Sequence, residues 1–254
     1  MRIHGIGHAT IALLLAAACA DAGGEPADDD PVEDPPPTVS WAEELPEGNP
    51  LTGLPEPGEM REIEVTDAAA QRGQTIYADN CVPCHGPDGE GRLGIGPKLN
   101  STTFLAAAAD DYLVRTIARG RPGTTMPGWA RTLERSEVED VIAYMRGWQE
   151  VEPVELDNRP ATGDAEAGGE RFREICAGCH GFNGAGYQET SNGTGIGRSA
   201  FLADASNGYL RHIIRNGKTD TPMRPFGRPS AVAVANLTDE DVENVITYLR
   251  DNAW

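Results

Sequence analysis

The clearest pattern in the chain is a helical stripe written twice. Val138, Val141, Ile142 and Met145 stand three and four residues apart, and Val242, Val245, Ile246 and Leu249 repeat that spacing. Such spacing gathers apolar side chains on one face of a helix. It predicts helices over residues 136–148 and from Thr238 onward. Glu137, Glu139, Asp239 and Glu240 fall in their first turns, where negative charge suits the helix dipole. Shorter helices are expected over 110–119 and 207–216, each stopped by a glycine, Gly120 or Gly217. Leu210, Ile213 and Ile214 give the second of these its apolar face. A leading helix in each copy, over 66–81 and 164–176, has Asp67 and Asp164 as candidate N-caps.

The repeat extends beyond these helices. Gly73 and Tyr77 return as Gly168 and Phe172, and Gly86, Gly89 and Gly91 return as Gly181, Gly184 and Gly186. Tyr112-Leu113 returns as Tyr209-Leu210. Two copies of one helical unit are therefore expected at 66–150 and 163–254. A linker over 151–162, holding Pro153 and Pro160, joins them.

Ahead of the repeat the helical spacing is lost. Residues 20–65 are acidic and proline-rich, with Asp28-Asp29-Asp30 and Pro35-Pro36-Pro37. That composition buries too little apolar surface to offset its ordering entropy, so it reads as a disordered tether. Trp41 and Leu45 stand in it with no evident partner. Residues 1–19 carry Arg2, an apolar run over 11–18, and Ala16-Ala17-Ala18 before Cys19, the layout of a secretory signal. No later run is long and apolar enough to span a bilayer. The formal net charge of -19 leaves nothing to neutralise phosphates, which argues against nucleic acid and suits basic partners or solubility.

The candidate chemistry lies in cysteine and histidine. Cys81-Val82-Pro83-Cys84-His85 and Cys176-Ala177-Gly178-Cys179-His180 each have the attachment signature of a c-type haem. Cysteines three apart share a helical turn, so both sulfurs reach the vinyl groups of one haem. The adjacent histidine meets the iron. A single copy is compatible with half a zinc site or a thiol-redox pair; two copies in matched surroundings favour haem. Of 5 cysteines only Cys19 is left over, so none remains for a disulfide or a thiolate site. Two covalently attached haem c groups are the expected cofactors.

Met126 and Met223 each lie six residues after the stop glycine of their copy, in loops that also hold a proline and an aromatic. That repeated loop position makes them the expected second iron ligands, giving His85 with Met126 and His180 with Met223. Met145 aligns with Leu249 and reads as core. His212, whose counterpart is Arg115, reads as a polar, exposed surface position rather than a ligand.

This arrangement resembles class I cytochrome c fused in tandem, as in dihaem periplasmic cytochromes. The resemblance covers 66–254. It implies an all-α fold of two tandem class I cytochrome c domains, after a signal peptide and a disordered acidic tether. It implies helices crossing at Gly73 near Tyr144, and at Gly168 near Tyr248. Leu93-Gly94-Ile95-Gly96-Pro97 resembles the family loop whose proline carbonyl accepts a hydrogen bond from the proximal histidine. The second copy reads Thr194-Gly195-Ile196-Gly197-Arg198, with arginine in the proline's place. A cation there disfavours ferric iron, so two unequal potentials are expected, the second haem higher. Residues 227–236, a longer stretch in the second copy, are expected to cover a haem edge or pack between the copies.

The N-terminus is similar to a bacterial lipoprotein cleavage site, with Ala16 where that family has leucine. This implies lipidation at Cys19 and an exported protein of the bacterial periplasm or envelope, touching membrane through a lipid anchor only. The resemblances together imply a non-catalytic carrier of single electrons between envelope redox proteins. Two alternatives stand beside it. One is a dihaem redox enzyme, a peroxidase or an oxidiser of sulfur compounds. The other is a lipid-anchored cytochrome subunit of a respiratory complex, like the dihaem subunit of cbb-type oxidases.

Overall fold

A computed structural model of the chain describes residues 41–43, 63–227 and 235–254. The signal segment with Cys19, most of the tether with Leu45, and residues 228–234 of the longer stretch lie outside the described residues. The described residues all belong to one compact unit. Its first repeat holds α1 (Asp67–Asn80), α2 (Val82–His85), α3 (Thr102–Ala107), α4 (Asp110–Arg119) and α5 (Arg135–Arg146). The second holds α6 (Ala165–Arg171), α7 (Ala177–His180), α8 (Ser199–Asp204), α9 (Asn207–Asn216) and α10 (Asp239–Asp251). The described residues contain no strand, only an isolated bridge between Arg92 and Gly96.

The expected helices are present, with local differences that have local causes. Thr66, not Asp67, caps α1: its backbone is extended and its hydroxyl accepts the Ala69 N–H at 3.1 Å. Asp164 caps α6 as expected, accepting from the Glu166 and Ala167 N–H groups. The leading helix of the second repeat then widens into a π turn over Phe172–Cys176, where α1 stays regular. α5 starts one residue early because Glu134 and Glu137 form a reciprocal capping box, and Thr238 with Asp241 does the same for α10. Gly120 and Gly217 end α4 and α9 at φ 68° and 67°.

In each repeat the first and last helices cross on glycine. A Cβ on Gly73 would stand 1.9 Å from the Asp140 carbonyl oxygen, and one on Gly168 would stand 1.9 Å from that of Asn244. Only glycine allows the backbones so close. Val138, Val141, Ile142 and Met145 are buried at this crossing, as are Val242, Val245, Ile246 and Leu249. Two arginines at matched positions fasten the last helices. Arg146 donates to the Leu105 and Ala108 carbonyls, and Arg250 to those of Leu202 and Ala205.

The linker has no regular secondary structure, yet it is held fast. Arg211, 2% exposed, donates to the carbonyls of Asp157, Arg159 and Pro160 and makes two 2.7 Å bonds to the Glu243 carboxylate. The tether also touches the fold. Trp41, in a single 3-10 turn, donates its indole N–H to the Leu133 carbonyl at 2.8 Å, and the Ile63 N–H reaches Asp110. A partner for Trp41 could not be read from composition, because the acceptor is a main-chain oxygen 92 residues away.

The repeats meet through equivalent surfaces, related by an approximate two-fold axis. Tyr112 stacks on its counterpart Tyr209, with ring centroids 5.0 Å apart and planes 28° apart. α3 packs on α9, and α4 packs on α8. The Arg121 guanidinium lies over the Phe201 ring, and the Lys218 ammonium over the Phe104 ring, the same pairing carried across the axis. Asp204 sits beneath the first of these contacts, 4% exposed at its side chain. It takes Arg121 at 2.5 Å, Arg115 at 3.2 Å and Arg119 at 3.8 Å. Arg115 is thus buried rather than exposed, which removes the reason for reading its counterpart His212 as a surface position; His212 is half-buried.

Candidate functional site

In each repeat the leading helix delivers the cysteines. Cys81 lies between α1 and α2, and the single turn of α2 carries Cys84 and His85. Gly86 (φ 76°) closes that turn, and Tyr77, 1% exposed, donates its hydroxyl to the Gly86 carbonyl at 3.0 Å. In the second repeat Cys176 ends the π turn, and α7 carries Cys179 and His180 up to Gly181 (φ 82°). None of these four cysteines is in a disulfide. Burial pushes the Cys81 thiol up to about 11 and the Cys176 thiol up to about 12, with the neighbouring cysteine of each motif adding to the shift.

Each histidine is anchored by a main-chain oxygen. His85 Nδ1 donates to the Pro97 carbonyl at 2.9 Å, as the loop resemblance implies. His180 Nδ1 donates to the Thr194 carbonyl at 2.8 Å, so the acceptor is not Arg198. The loop of the second repeat has to be aligned on Gly96 and Gly193. A Cβ on either would meet the carbonyl oxygen of the second motif cysteine, Cys84 at 2.4 Å or Cys179 at 2.3 Å. The residue after each glycine then presents its carbonyl to the histidine. Arg198 instead lies 4.4 Å from the Trp254 ring centroid and donates to Gln188. A carbonyl can only accept, so Nδ1 carries the proton and Nε2 keeps its lone pair. Burial lowers the pKa of both imidazoles, which favours the neutral form.

The methionine loops are built alike. The Arg121 N–H donates to the Met126 carbonyl at 3.0 Å, and the Lys218 N–H to the Met223 carbonyl at 2.9 Å. Each methionine N–H donates to the threonine two residues before, Thr124 at 3.2 Å or Thr221 at 3.1 Å. Both methionines are half-buried. Met223 lines a cavity of about 390 Å³ together with Cys176, Cys179, His180, Phe226 and Lys218. The loop from Glu90 to Lys98 of the first repeat reaches into the same cavity. From α9 the cavity receives Tyr209, Leu210, Ile213 and Ile214, but not His212. Lys218, half-buried, was missed in the sequence, where nothing marks a loop lysine as lining a cavity; its alignment with Arg121 is the one available signal.

Two thiols, an imidazole with a free Nε2 and a thioether thus converge on an apolar cavity within the size range of cofactor sites, about 300–1,000 Å³. These are the donors and walls that a covalently held haem requires. Fold and site together define a class I c-type cytochrome built as two tandem domains.

Comparison with known proteins agrees. Residues 68–145 match the family described as cytochrome C oxidase, cbb3-type, subunit III, and residues 165–253 match the family described as cytochrome c. The chain belongs to the dihaem class I c-type cytochromes and carries two covalently bound haem c groups. It is 32% identical over 162 residues to the cbb3-type cytochrome c oxidase subunit FixP of Azorhizobium caulinodans, covering 61% of this chain and 53% of that protein. It is 29% identical over 148 residues to the cbb3-type cytochrome c oxidase subunit CcoP of Rubrivivax gelatinosus, covering 58% and 45%. The chain therefore spans about half the length of these curated relatives. Among solved structures it is similar to the Kuenenia stuttgartiensis reducing HAO-like protein complex Kustc0457/Kustc0458. That match has 21% identity and a TM-score of 0.45, over 76% of this chain and 99% of the other. No helix among the described residues is long and apolar enough to cross a membrane.

Proposed function

We propose that this protein carries single electrons between redox partners. It holds one haem through Cys81, Cys84, His85 and Met126, and the other through Cys176, Cys179, His180 and Met223. The observation that carries this reading is the cavity in which Met223 meets Cys176, Cys179 and His180. The matched hydrogen bonds of the two methionine loops extend it to the first repeat. When bound, each haem supplies an iron that cycles between ferrous and ferric forms, at a potential that methionine ligation raises. The rest is the work of the chain. The bonds from Nδ1 to Pro97 and Thr194 fix the imidazole rings and raise their basicity as ligands. Burial keeps those rings neutral and ready to coordinate. Phe226, Leu210 and Ile213 give the cavity of the second repeat apolar walls. With histidine and methionine both engaged, no ligand position is left open for a substrate.

The test is near-infrared spectroscopy of the ferric, haem-loaded protein, with Met126→Ala and Met223→Ala alongside. The sulfur-to-iron charge-transfer band is expected, and each variant loses about half of it, in proportion to two equivalent haems. A high-spin haem, or a variant that keeps the whole band, refutes the assignment for that iron and turns the reading toward small-molecule chemistry there.

A second reading is favoured by one observation: the curated relatives are subunits of cbb3-type oxidases, and residues 68–145 match the subunit III family. The carrier then works as a fixed subunit of a membrane respiratory complex. Lipidation at Cys19, in an exported protein of the bacterial envelope, supplies the attachment in either case. Co-purification from detergent extracts separates the two readings. A stoichiometric oxidase partner supports the subunit, and release as a single lipidated chain supports the diffusing carrier.

A further inference from the structure

The approximate two-fold axis sets Arg121 and Lys218 at equivalent positions, each with its cation over a phenylalanine of the other repeat. Their electrostatic surroundings are not equivalent. Arg121 has a carboxylate partner in the protein, Asp204 at 2.5 Å, which it shares with Arg115 and Arg119. The position equivalent to Asp204 on α3 is Ala107, so nothing balances Lys218 from that side. Among the described residues the Lys218 ammonium makes one hydrogen bond, to the Lys98 carbonyl at 2.9 Å, and no ion pair. An ammonium has three donors. Burial, with Lys98 adding repulsion, pulls the Lys218 pKa down to about 8. Glu90 and Asp220 also line the cavity, but Asp220 pairs with Lys98 at 3.7 Å and neither carboxylate forms an ion pair with Lys218, so the ammonium has room for an anion within the cavity. Haem brings its own anions there, the two propionate carboxylates.

We propose that Lys218 is the partner of a haem carboxylate in the second repeat's cavity, and that its charge raises the potential of the haem bound by Cys176, Cys179 and His180. This rests on the haem assignment proposed above. It also moves the source of the expected inequality between the two haems from Arg198 to Lys218. Arg198 is engaged by Trp254 and Gln188, whereas Lys218 shares the cavity with His180 and Met223. The mechanism is elementary: a fixed positive charge disfavours the more positive ferric state, so reduction becomes easier. Arg121 differs in having a protein carboxylate, Asp204, as its partner, and it does not line this cavity.

The test is an optical redox titration of the haem-loaded full chain, with Met126→Ala and Met223→Ala used to assign each midpoint to its haem. Lys218→Gln is expected to lower the midpoint of the haem that Met223→Ala perturbs by about 59 mV, a tenfold change in a one-electron equilibrium. The other midpoint stays in place. Lys218→Arg keeps the charge and is expected to hold the wild-type value. Ala107→Asp keeps the lysine but gives it a protein carboxylate, so it lowers the same midpoint independently of whether Lys218→Gln loads haem well. Unmoved midpoints in Lys218→Gln and Ala107→Asp, or a shift confined to the haem that Met126→Ala perturbs, overturn the proposal. The near-infrared band tells the two failures apart. With the band intact, unmoved midpoints refute the role of Lys218 alone; without it in the wild type, the ligand assignment falls and this proposal falls with it.

Discussion

The two repeats share their ligand-bearing parts and differ in their charges. Both set a histidine Nδ1 on a main-chain carbonyl, although the residue is proline in one and threonine in the other. Both press a glycine on the second cysteine's carbonyl, and both hold methionine in the same hydrogen-bonded loop. A contact made by the main chain survives a change of side chain, so Pro97 and Thr194 do the same work. The charged contacts lack that protection. Arg211 and Glu243 fasten the linker in the second repeat, where the first has Val114 and Glu139 at the matching positions. Asp204 binds three arginines across the interface, where its equivalent is Ala107. A duplicated unit thus keeps one haem-holding frame and acquires two electrostatic settings.

The frame is the costliest part to disturb. Gly73→Ala and Gly168→Ala each force a methyl carbon against a carbonyl oxygen at 1.9 Å, with backbone on both sides and no side chain free to give way. Each is expected to destabilise the protein by about 3 kcal/mol or more, the upper end for overpacking. Denaturant unfolding measures it, and equal losses at the two sites are the sign of equivalent frames. A tolerated alanine at one site breaks the equivalence.

The interface comes next. Asp204→Ala leaves three arginines facing each other, two of them largely buried, and is expected to cost about 3 kcal/mol. Ala107 has no such burden, so Ala107→Ser at the equivalent place is expected to stay within about 1 kcal/mol. The same denaturation experiment compares them, and similar losses for the two changes would show that the ion cluster adds nothing to the interface.

Acid sharpens the contrast further. The hydrogen bonds from Arg211 hold the Glu243 carboxyl below its usual value of 4.5, against the opposing effect of burial. A carboxylate with a depressed folded-state pKa contributes stability that is fully present above the unfolded value and is lost as pH falls through the folded one. Wild type is therefore expected to exceed Glu243→Gln in stability at pH 7, with the gap closing below about pH 4.5. Thermal unfolding across that range checks it; a gap independent of pH would assign the loss to packing instead.

What could be read from the sequence follows the range of the interaction. The long helices, their glycine stops and both cysteine motifs were legible, because spacing along the chain fixes them. α3 and α8, of six residues each, were not, since so short a run shows no periodicity. Arg198 was set in the proline's place because Gly195-Ile196-Gly197 imitates Gly94-Ile95-Gly96. Aligning from α8 backward, at the spacing that pairs Tyr112 with Tyr209, reaches Thr194 instead. Arg115 and Arg211 were beyond reach, because a charged residue is buried only by partners that tertiary structure supplies.

The smallest difference between the repeats lies at the caps of their leading helices. Thr66 offers one bond, to the Ala69 N–H at 3.1 Å. Asp164 offers two, to Glu166 at 2.8 Å and Ala167 at 3.0 Å, and adds a negative charge at the helix N-terminus. Removing a cap costs about 1 kcal/mol on average. Asp164→Ala is expected to exceed that figure and Thr66→Ala to fall short of it, by a few tenths of a kcal/mol each way. Urea unfolding of the two variants at low salt resolves the order, and added salt narrows it by screening the charge while leaving the hydrogen bonds in place. A reversed order would mean that the regular α1 depends on its cap more than α6 does, with the π turn after α6 having already released the second helix from the need for one.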